Sequence, residues 1–295
     1  MSRSHPATNA TEMRTAAPLV MMVATLSWGS CGCSSVARAP NVEFACEAET
    51  CPLRFQGNAQ VSDTELASEI ARREPQRREL FRELAPVLVR AAYYDRGFID
   101  VRVDAHTEAA RDGGHVLVLG IHEGEPYWVD RLSIRDPASL PGEPLGNPGS
   151  LRAAISQSSG VVFARRVMID DVRDLLSRYR EAGYAWADAD VTVRKDGGEH
   201  FVAVDITIVR GPATVFDRVD VHGGEGLPAH AVQERLAMHP GEAYRASAVE
   251  ASSRALAELA GAGRRVDVSQ APVEGHPERV AVTFGIMWAD GGVRP

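Results

Sequence analysis

Four cysteines, nine histidines and 40 acidic residues are the groups with chemistry to offer in this chain of 295 residues. Their spacing suits little catalysis. Cys46 and Cys51 flank a four-residue gap. No second cysteine pair or histidine pair stands at ligand spacing, which argues against a metal site. A local Cys46–Cys51 disulfide is the expectation if the compartment is oxidising, with free thiols as the other reading. The histidines are scattered. His115, His200 and His276 each fall near a turn that precedes a strand, and position explains them better than pH sensing. Asp170-Asp171 falls in the first turn or two of an expected helix, where carboxylates complement the helix dipole. That explains the pair better than acid–base chemistry does. No Gly-x-Ser-x-Gly elbow, phosphate loop or His-Glu-x-x-His is present. Gly261-Ala262-Gly263 lacks the third glycine of a dinucleotide loop and follows a helix. The residues point to no enzyme and no cofactor.

Composition narrows the classes further. Hydrophobic residues make up 44% and charged residues 24%, so the chain can bury cores. A net charge of −8 argues against nucleic-acid binding and leaves proteins and peptides as partners. The basic pairs Arg72-Arg73, Arg77-Arg78 and Arg165-Arg166 are interleaved with acids and read as solvated helix faces.

The first 33 residues read as an export signal. Ala16 to Trp28 is apolar and too short for a membrane span of about 20 residues. It ends in Ser30-Cys31-Gly32-Cys33. Small residues before a cysteine resemble a bacterial lipoprotein signal, although Trp28 stands where such signals usually carry Leu. The resemblance implies lipidation of Cys31, or of Cys33 as second choice. Plain secretory cleavage and a retained anchor are the alternatives. With Gly32 after the cysteine, the enteric sorting rule implies tethering to the outer membrane, on its periplasmic side. Met13-Arg14 makes a tidier start than Met1. Residues 34–52 show little periodicity and are expected to form a tether.

The elements that follow repeat. Phe201 to Val209 alternates like a strand, Gly211-Pro212 breaks it, and a second alternating run carries Val215, Val219 and Val221 on one side. The same arrangement occurs one unit earlier. Val116 to Ile121 is a strand, Gly124-Glu125-Pro126 is the break, and Trp128 to Arg135 is the next strand. Val129-Asp130-Arg131-Leu132-Ser133-Ile134 aligns with Phe216-Asp217-Arg218-Val219-Asp220-Val221 at an offset of 87 residues, the size of a small domain.

The order is strand, helix, helix, strand, strand, three times, over 53–127, 128–213 and 214–295. In unit one, Ser62 or Asp63 caps a helix bearing Leu66, Ala67 and Ile70. A second helix bears Leu80, Leu84, Val87, Leu88, Ala91 and Tyr94, with Pro86 starting or kinking it. Phe98 to His106 is the next strand. In unit two, Pro137 to Gly149 is a long Pro/Gly loop and Leu151 to Gln157 a short helix. Ala164 to Ala182 is a helix with Val167, Met168, Val172, Leu175, Leu176 and Tyr179 inward. In unit three, Pro228 opens a helix with Val232, Leu236 and Met238. Ala246 to Ala260 is the second helix, stopping at Gly263. The three stops align as Tyr93-x3-Gly97, Tyr179-x3-Gly183 and Leu259-x3-Gly263. A large residue packs the last turn, the glycine takes the left-handed conformation that ends the helix, and the next residue is expected to begin a strand.

At these residues the chain resembles the POTRA (polypeptide-transport-associated) repeat of outer-membrane barrel assembly and secretion proteins. The shared features are the Gly57-Asn58 turn, the Tyr-x3-Gly-aromatic helix ends at Tyr93/Gly97/Phe98 and Tyr179/Gly183/Tyr184, and the Gly-x-Pro or Gly-Pro break before the next unit. Unit three departs most, with Gly223-Gly224 for Gly-Asn and Leu259 and Arg264 for the aromatics. The resemblance implies an α+β array of three β-α-α-β-β domains, each a small three-stranded mixed sheet covered by two helices. It implies a non-enzymatic scaffold that binds unfolded outer-membrane clients or a β-barrel partner by strand addition. The receiving edge would be the strand after the second helix, here carrying Val101 and Val103, then Val191, Thr192 and Val193, then Val266 and Val268. Such arrays often continue into a membrane barrel, and only Asp290 to Pro295 follow unit three. The expectation is therefore a barrel-less tethered protein or a piece of a longer assembly factor. A rigid spacer is the reading from another class.

Overall fold

The structure, a computed structural model, describes residues 43–46, 49–73, 81–110 and 113–288. The chain divides into two units, residues 1–38 and 39–295, and every described residue belongs to the second. Cys31 and Cys33 lie outside the described residues.

Three modules follow one another. The first comprises β1 (Glu43–Cys46), β2 (Glu49–Gln56), α1 (Asp63–Arg73), α2 (Phe81–Tyr94), β3 (Arg102–Ala109) and β4 (His115–His122). The second comprises β5 (Trp128–Arg135), α3 (Pro148–Ala153), α4 (Arg165–Glu181), β6 (Asp188–Asp196) and β7 (Phe201–Val209). The third comprises β8 (Val215–His222), α5 (Ala229–Gln233), α6 (Ala246–Ala260), β9 (Arg264–Val273) and β10 (His276–Trp288). The sheet orders are β1-β2-β4-β3, β5-β7-β6 and β8-β10-β9. In each, the last strand lies inside the sheet, parallel to the strand that precedes the two helices (β2, β5 or β8) and antiparallel to the strand before it. A parallel pair cannot be joined by a tight turn, and the two helices supply the crossover.

Part of the expected tether is a strand. β1 pairs antiparallel with β2, with Cys46 opposite Glu49 and Cys51 opposite Phe44, so the two cysteines are not directly opposed. Backbone pairing to β2 decides this, and periodicity over four residues cannot show it.

Each module closes its own core. In β7, Val202, Val204, Ile206 and Ile208 are buried under α4 while Phe201 and Val209 stay exposed. Burying each such side chain contributes about 1.5–3 kcal/mol. In α4, Met168, Leu175, Leu176 and Tyr179 point inward as expected, but Val167 is 40% exposed. Ser62 and Glu65 form a capping box at α1: Glu65 N–H donates to Ser62 Oγ at 3.3 Å, and Ser62 N–H to Glu65 Oε2 at 3.1 Å. Pro86 sits inside α2 and does not start it.

Several boundaries differ from expectation for identifiable reasons. α3 spans Pro148–Ala153, upstream of Leu151–Gln157, because Asn147 Oδ1 accepts Gly149 N–H at 2.9 Å and Pro148 opens the helix. Gln157 is buried in the loop beyond, bonded both ways to the Ala164 backbone. α5 is a five-residue turn; Leu236 and Met238 are buried but lie past its end. α6 stops at Gly261 (φ 78°), two residues before Gly263. α4 begins at Arg165, so Asp170 and Asp171 fall in its second turn, within the span expected. Asp171 Oδ2 accepts the Ser156 N–H and hydroxyl, each at 2.8 Å.

The repeated Asp-Arg pair marks a bulge. Opposite β7, Val129 pairs with Val202 and Arg131 with Ala203, leaving Asp130 extra. Opposite β10, Phe216 pairs with Val280 and Arg218 with Ala281, leaving Asp217 extra. The extra residue flips the alternation. Phe216, and not Val215, therefore shares the core with Val219 and Val221.

Candidate functional site

The helix ends are built as anticipated in the first two modules. Phe98 N–H donates to Tyr93 O at 3.1 Å and Gly97 N–H to Tyr94 O at 3.2 Å, with Gly97 at φ 91°. Tyr184 N–H donates to Tyr179 O at 3.0 Å and Gly183 N–H to Arg180 O at 3.2 Å, with Gly183 at φ 102°. This is the double bond pattern of a Schellman stop. The aromatic after each glycine folds back on the tyrosine, with ring centroids 5.6 Å apart for Tyr93–Phe98 and 6.4 Å for Tyr179–Tyr184. No strand begins there. Residues 98–101 and 184–187 form a four-residue hook first, and β3 and β6 start after it. In the third module β9 begins at Arg264, directly after Gly263.

Each tyrosine hydroxyl closes on a carboxylate, from a different place. Tyr93 donates to Glu123 Oε1 at 2.7 Å, and the same oxygen accepts Gln60 N–H at 2.8 Å. Tyr179 donates to Asp136 Oδ2 at 2.7 Å, and Asp136 Oδ1 accepts Ala138 N–H at 3.0 Å. Arg210 Nε reaches Asp136 at 2.7 Å, and its two Nη atoms fork onto Glu143 at 2.7 and 2.9 Å. The fork raises the Arg210 pKa and holds the Glu143 carboxyl below the ordinary carboxylate range. Burial, then the carboxylate partner, pushes each tyrosine hydroxyl up. Arg210 thus pins the Pro/Gly loop of 137–149 to the module. These groups are saturated by one another and present no free nucleophile or base.

The sheet edges are what the modules offer a partner. The outer edges of β2, β5 and β8 are occupied. β1 covers β2. Beside β5, Val129 N–H donates to Val161 O and Gly160 N–H to Val129 O, each at 2.8 Å. Beside β8, Phe216 N–H donates to Glu242 O at 2.9 Å and Gly241 N–H to Phe216 O at 2.7 Å. Among the described residues, no strand pairs with the outer side of β3, β6 or β9.

The side chains singled out from the sequence are placed unequally. Val101 is buried and precedes β3; Val103 is half-buried against the first core. On β6, Thr192 is exposed and Val191 and Val193 are each 42% exposed, although their partners Ile206 and Val204 are buried. On β9, Val266 is half-buried and Val268 is 38% exposed. A groove of about 420 Å³ runs between β9 and α6, lined by Val249, Ser253, Ala257, Val266, Val268 and Gln270. Among the described residues, no group of three or more His, Cys, Asp or Glu side chains is placed to hold a metal ion. No described helix is long and apolar enough to cross a membrane.

Sequence reasoning missed the contacts between modules. Tyr127 N–H donates to Gly97 O at 2.9 Å, and Thr214 N–H to Gly183 O at 2.8 Å. Arg165, read as part of a solvated face, bonds Asp95 Oδ1 through Nε at 3.0 Å and Nη2 at 2.8 Å. Arg77 and Arg78 lie outside the described residues. The matching tyrosine–glycine spacing was the available signal, since Asp95 and Glu181 each stand two residues after the tyrosine.

No family model matches the chain. It is 25% identical over 217 residues to the "Putative outer membrane protein assembly factor" of Treponema pallidum (strain Nichols). That match covers 70% of this chain, and the chain spans about a quarter of the length of that relative. The crystal structure of POTRA3-5 of Haemophilus influenzae BamA is similar at a TM-score of 0.63 and 17% identity, over 79% of this chain and 94% of that one. The three modules therefore have the fold of tandem POTRA domains.

Proposed function

We propose that this chain is a non-enzymatic periplasmic scaffold of outer-membrane protein assembly or translocation. It takes extended segments of client or β-barrel partner polypeptides on its open strand edges. One observation carries the reading: β2, β5 and β8, the strands that precede the two helices, are each covered on their outer side, whereas among the described residues no strand covers the outer side of the strand after the second helix. An open edge offers unpaired N–H and C=O groups at strand spacing, which any extended chain can meet with little demand on sequence. β6 and β9 are the favoured edges, because their valines remain exposed beside the edge while Val103 of β3 is tucked into its core. The groove beside β9 gives alternate side chains of an added strand somewhere to go. The POTRA fold and the assembly-factor relative support the placement, with lipidation at Cys31 as the proposed tether.

Proline tests this directly, because an edge strand tolerates proline while losing a donor. Val191→Pro, Val193→Pro and Val268→Pro, whose N–H groups face away from the neighbouring strand, should leave the circular dichroism spectrum intact and weaken capture of a labelled unfolded outer-membrane barrel protein. Capture at wild-type strength by all three would count against strand addition.

The spacer reading is favoured by a separate observation, the repeated contacts that join one module to the next. The two readings are compatible, since a scaffold with fixed joints also holds its edges at set positions.

A further inference from the structure

We infer that the two joints are closed by one repeated three-part lock, and that the three modules consequently move as a single body. The inference does not depend on strand addition.

The first part is the backbone bond from the residue just before each new module's first strand to the helix-ending glycine of the module before it, Tyr127 to Gly97 and Thr214 to Gly183. The second part is the hook. Its second and third residues reach forward, not into their own module. Ile99 packs against the second core, and Asp100 accepts the Tyr127 hydroxyl at 2.6 Å and pairs with Lys195 on β6. Ala185 is buried in the third core; Trp186 packs beside it and donates from Nε1 to Pro277 O at 2.9 Å. The third part is the acid two residues after each tyrosine, which grips the first turn of the next module's second helix. Asp95 holds Arg165, the first residue of α4. Glu181 accepts the Ser247 N–H at 2.8 Å and its hydroxyl at 2.7 Å, in the first turn of α6.

The third module shows that the fold itself requires neither hook nor acid. Gly261 stands where Asp95 and Glu181 stand, and β9 starts at Arg264 without a hook. The module still closes a complete core of its own. The extra residues in modules one and two are therefore joint parts. Domains in one chain move relative to one another by default unless their interface is well packed. Here each hook contributes side chains to the neighbouring core, so bending a joint would pull an apolar group out of a packed interior.

The test is backbone 15N relaxation on the full chain, read as a rotational correlation time for each module. The wild type should give one value for all three. Trp186→Ala and Glu181→Ala should give the third module a shorter time of its own, and Ile99→Ala and Asp95→Ala should do the same for the first. Glu181→Ala lies on the surface and cannot unfold a core, so it separates loss of the lock from loss of the module. It should also raise amide exchange at Ser247 by up to about fivefold, the range of an exposed charged contact. A control substitution on the outer face of α6, Glu258→Ala, should change nothing. Separate correlation times in the wild type, or a single time retained in both Trp186→Ala and Ile99→Ala, would overturn the inference.

Discussion

The buried pair Asp136–Arg210 allows a quantitative test of how the second module is held. The two side chains are 0% and 7% exposed and meet at 2.7 Å. In Arg210→Met the methionine fills the space, but Asp136 keeps a buried charge with only the Tyr179 hydroxyl and Ala138 N–H as partners. Breaking such a pair from one side costs about 3–5 kcal/mol, because the charge left behind has no cation. For a module of this size that corresponds to a fall in melting temperature of at least about 12 °C. Replacing both partners removes the stranded charge. In Arg210→Met/Asp136→Asn the asparagine oxygen can still accept from Ala138 N–H while its NH2 donates to the Tyr179 hydroxyl oxygen, and most of the loss should be recovered, to within about 1–2 kcal/mol of wild type. Scanning calorimetry of the full chain measures the change. A single variant losing less than about 1 kcal/mol, or a double variant as unstable as the single one, would refute the reasoning.

Three further outcomes follow from the geometry. Gly97→Ala should destabilise well beyond the roughly 1–2 kcal/mol of a left-handed alanine, since its Cβ would meet Phe163 O at 2.6 Å. Gly183→Ala should cost only about that amount, because the nearest atom to its Cβ is Tyr244 O at 3.7 Å; urea melts of the two variants compare them. The Glu181 carboxyl is held below its ordinary value of 4.5, first by the Ser247 hydroxyl and then by its N–H. Its contribution to the second joint is therefore complete above 4.5 and lost as pH falls through the lowered value, so Ser247 amide protection should be flat above pH 4.5 and fall on further acidification. Ser62→Ala removes the α1 capping box and should cost about 1 kcal/mol, read by thermal denaturation.

The array was legible in the sequence because its determinants are local. Alternation in Phe201–Val209, helical spacing from Met168 to Tyr179, and a glycine after each aromatic turn specify strand, helix and stop without reference to distant residues. A repeat at 87 residues then shows that one solution is used again. Tertiary structure decided what depends on a partner strand or module. The Asp130 and Asp217 bulges exist only relative to β7 and β10, and they send Phe216 inward where plain alternation chose Val215. The same holds for Cys46 and Cys51, whose register is set by β1 lying against β2. Residues 98–101 and 184–187 look like strand because they are short and mixed, and they become hooks because a second core lies within reach. Which edges stay open was likewise beyond periodicity: it depends on distant segments, at Val161 and Glu242, returning to cover β5 and β8 and leaving β6 and β9 uncovered.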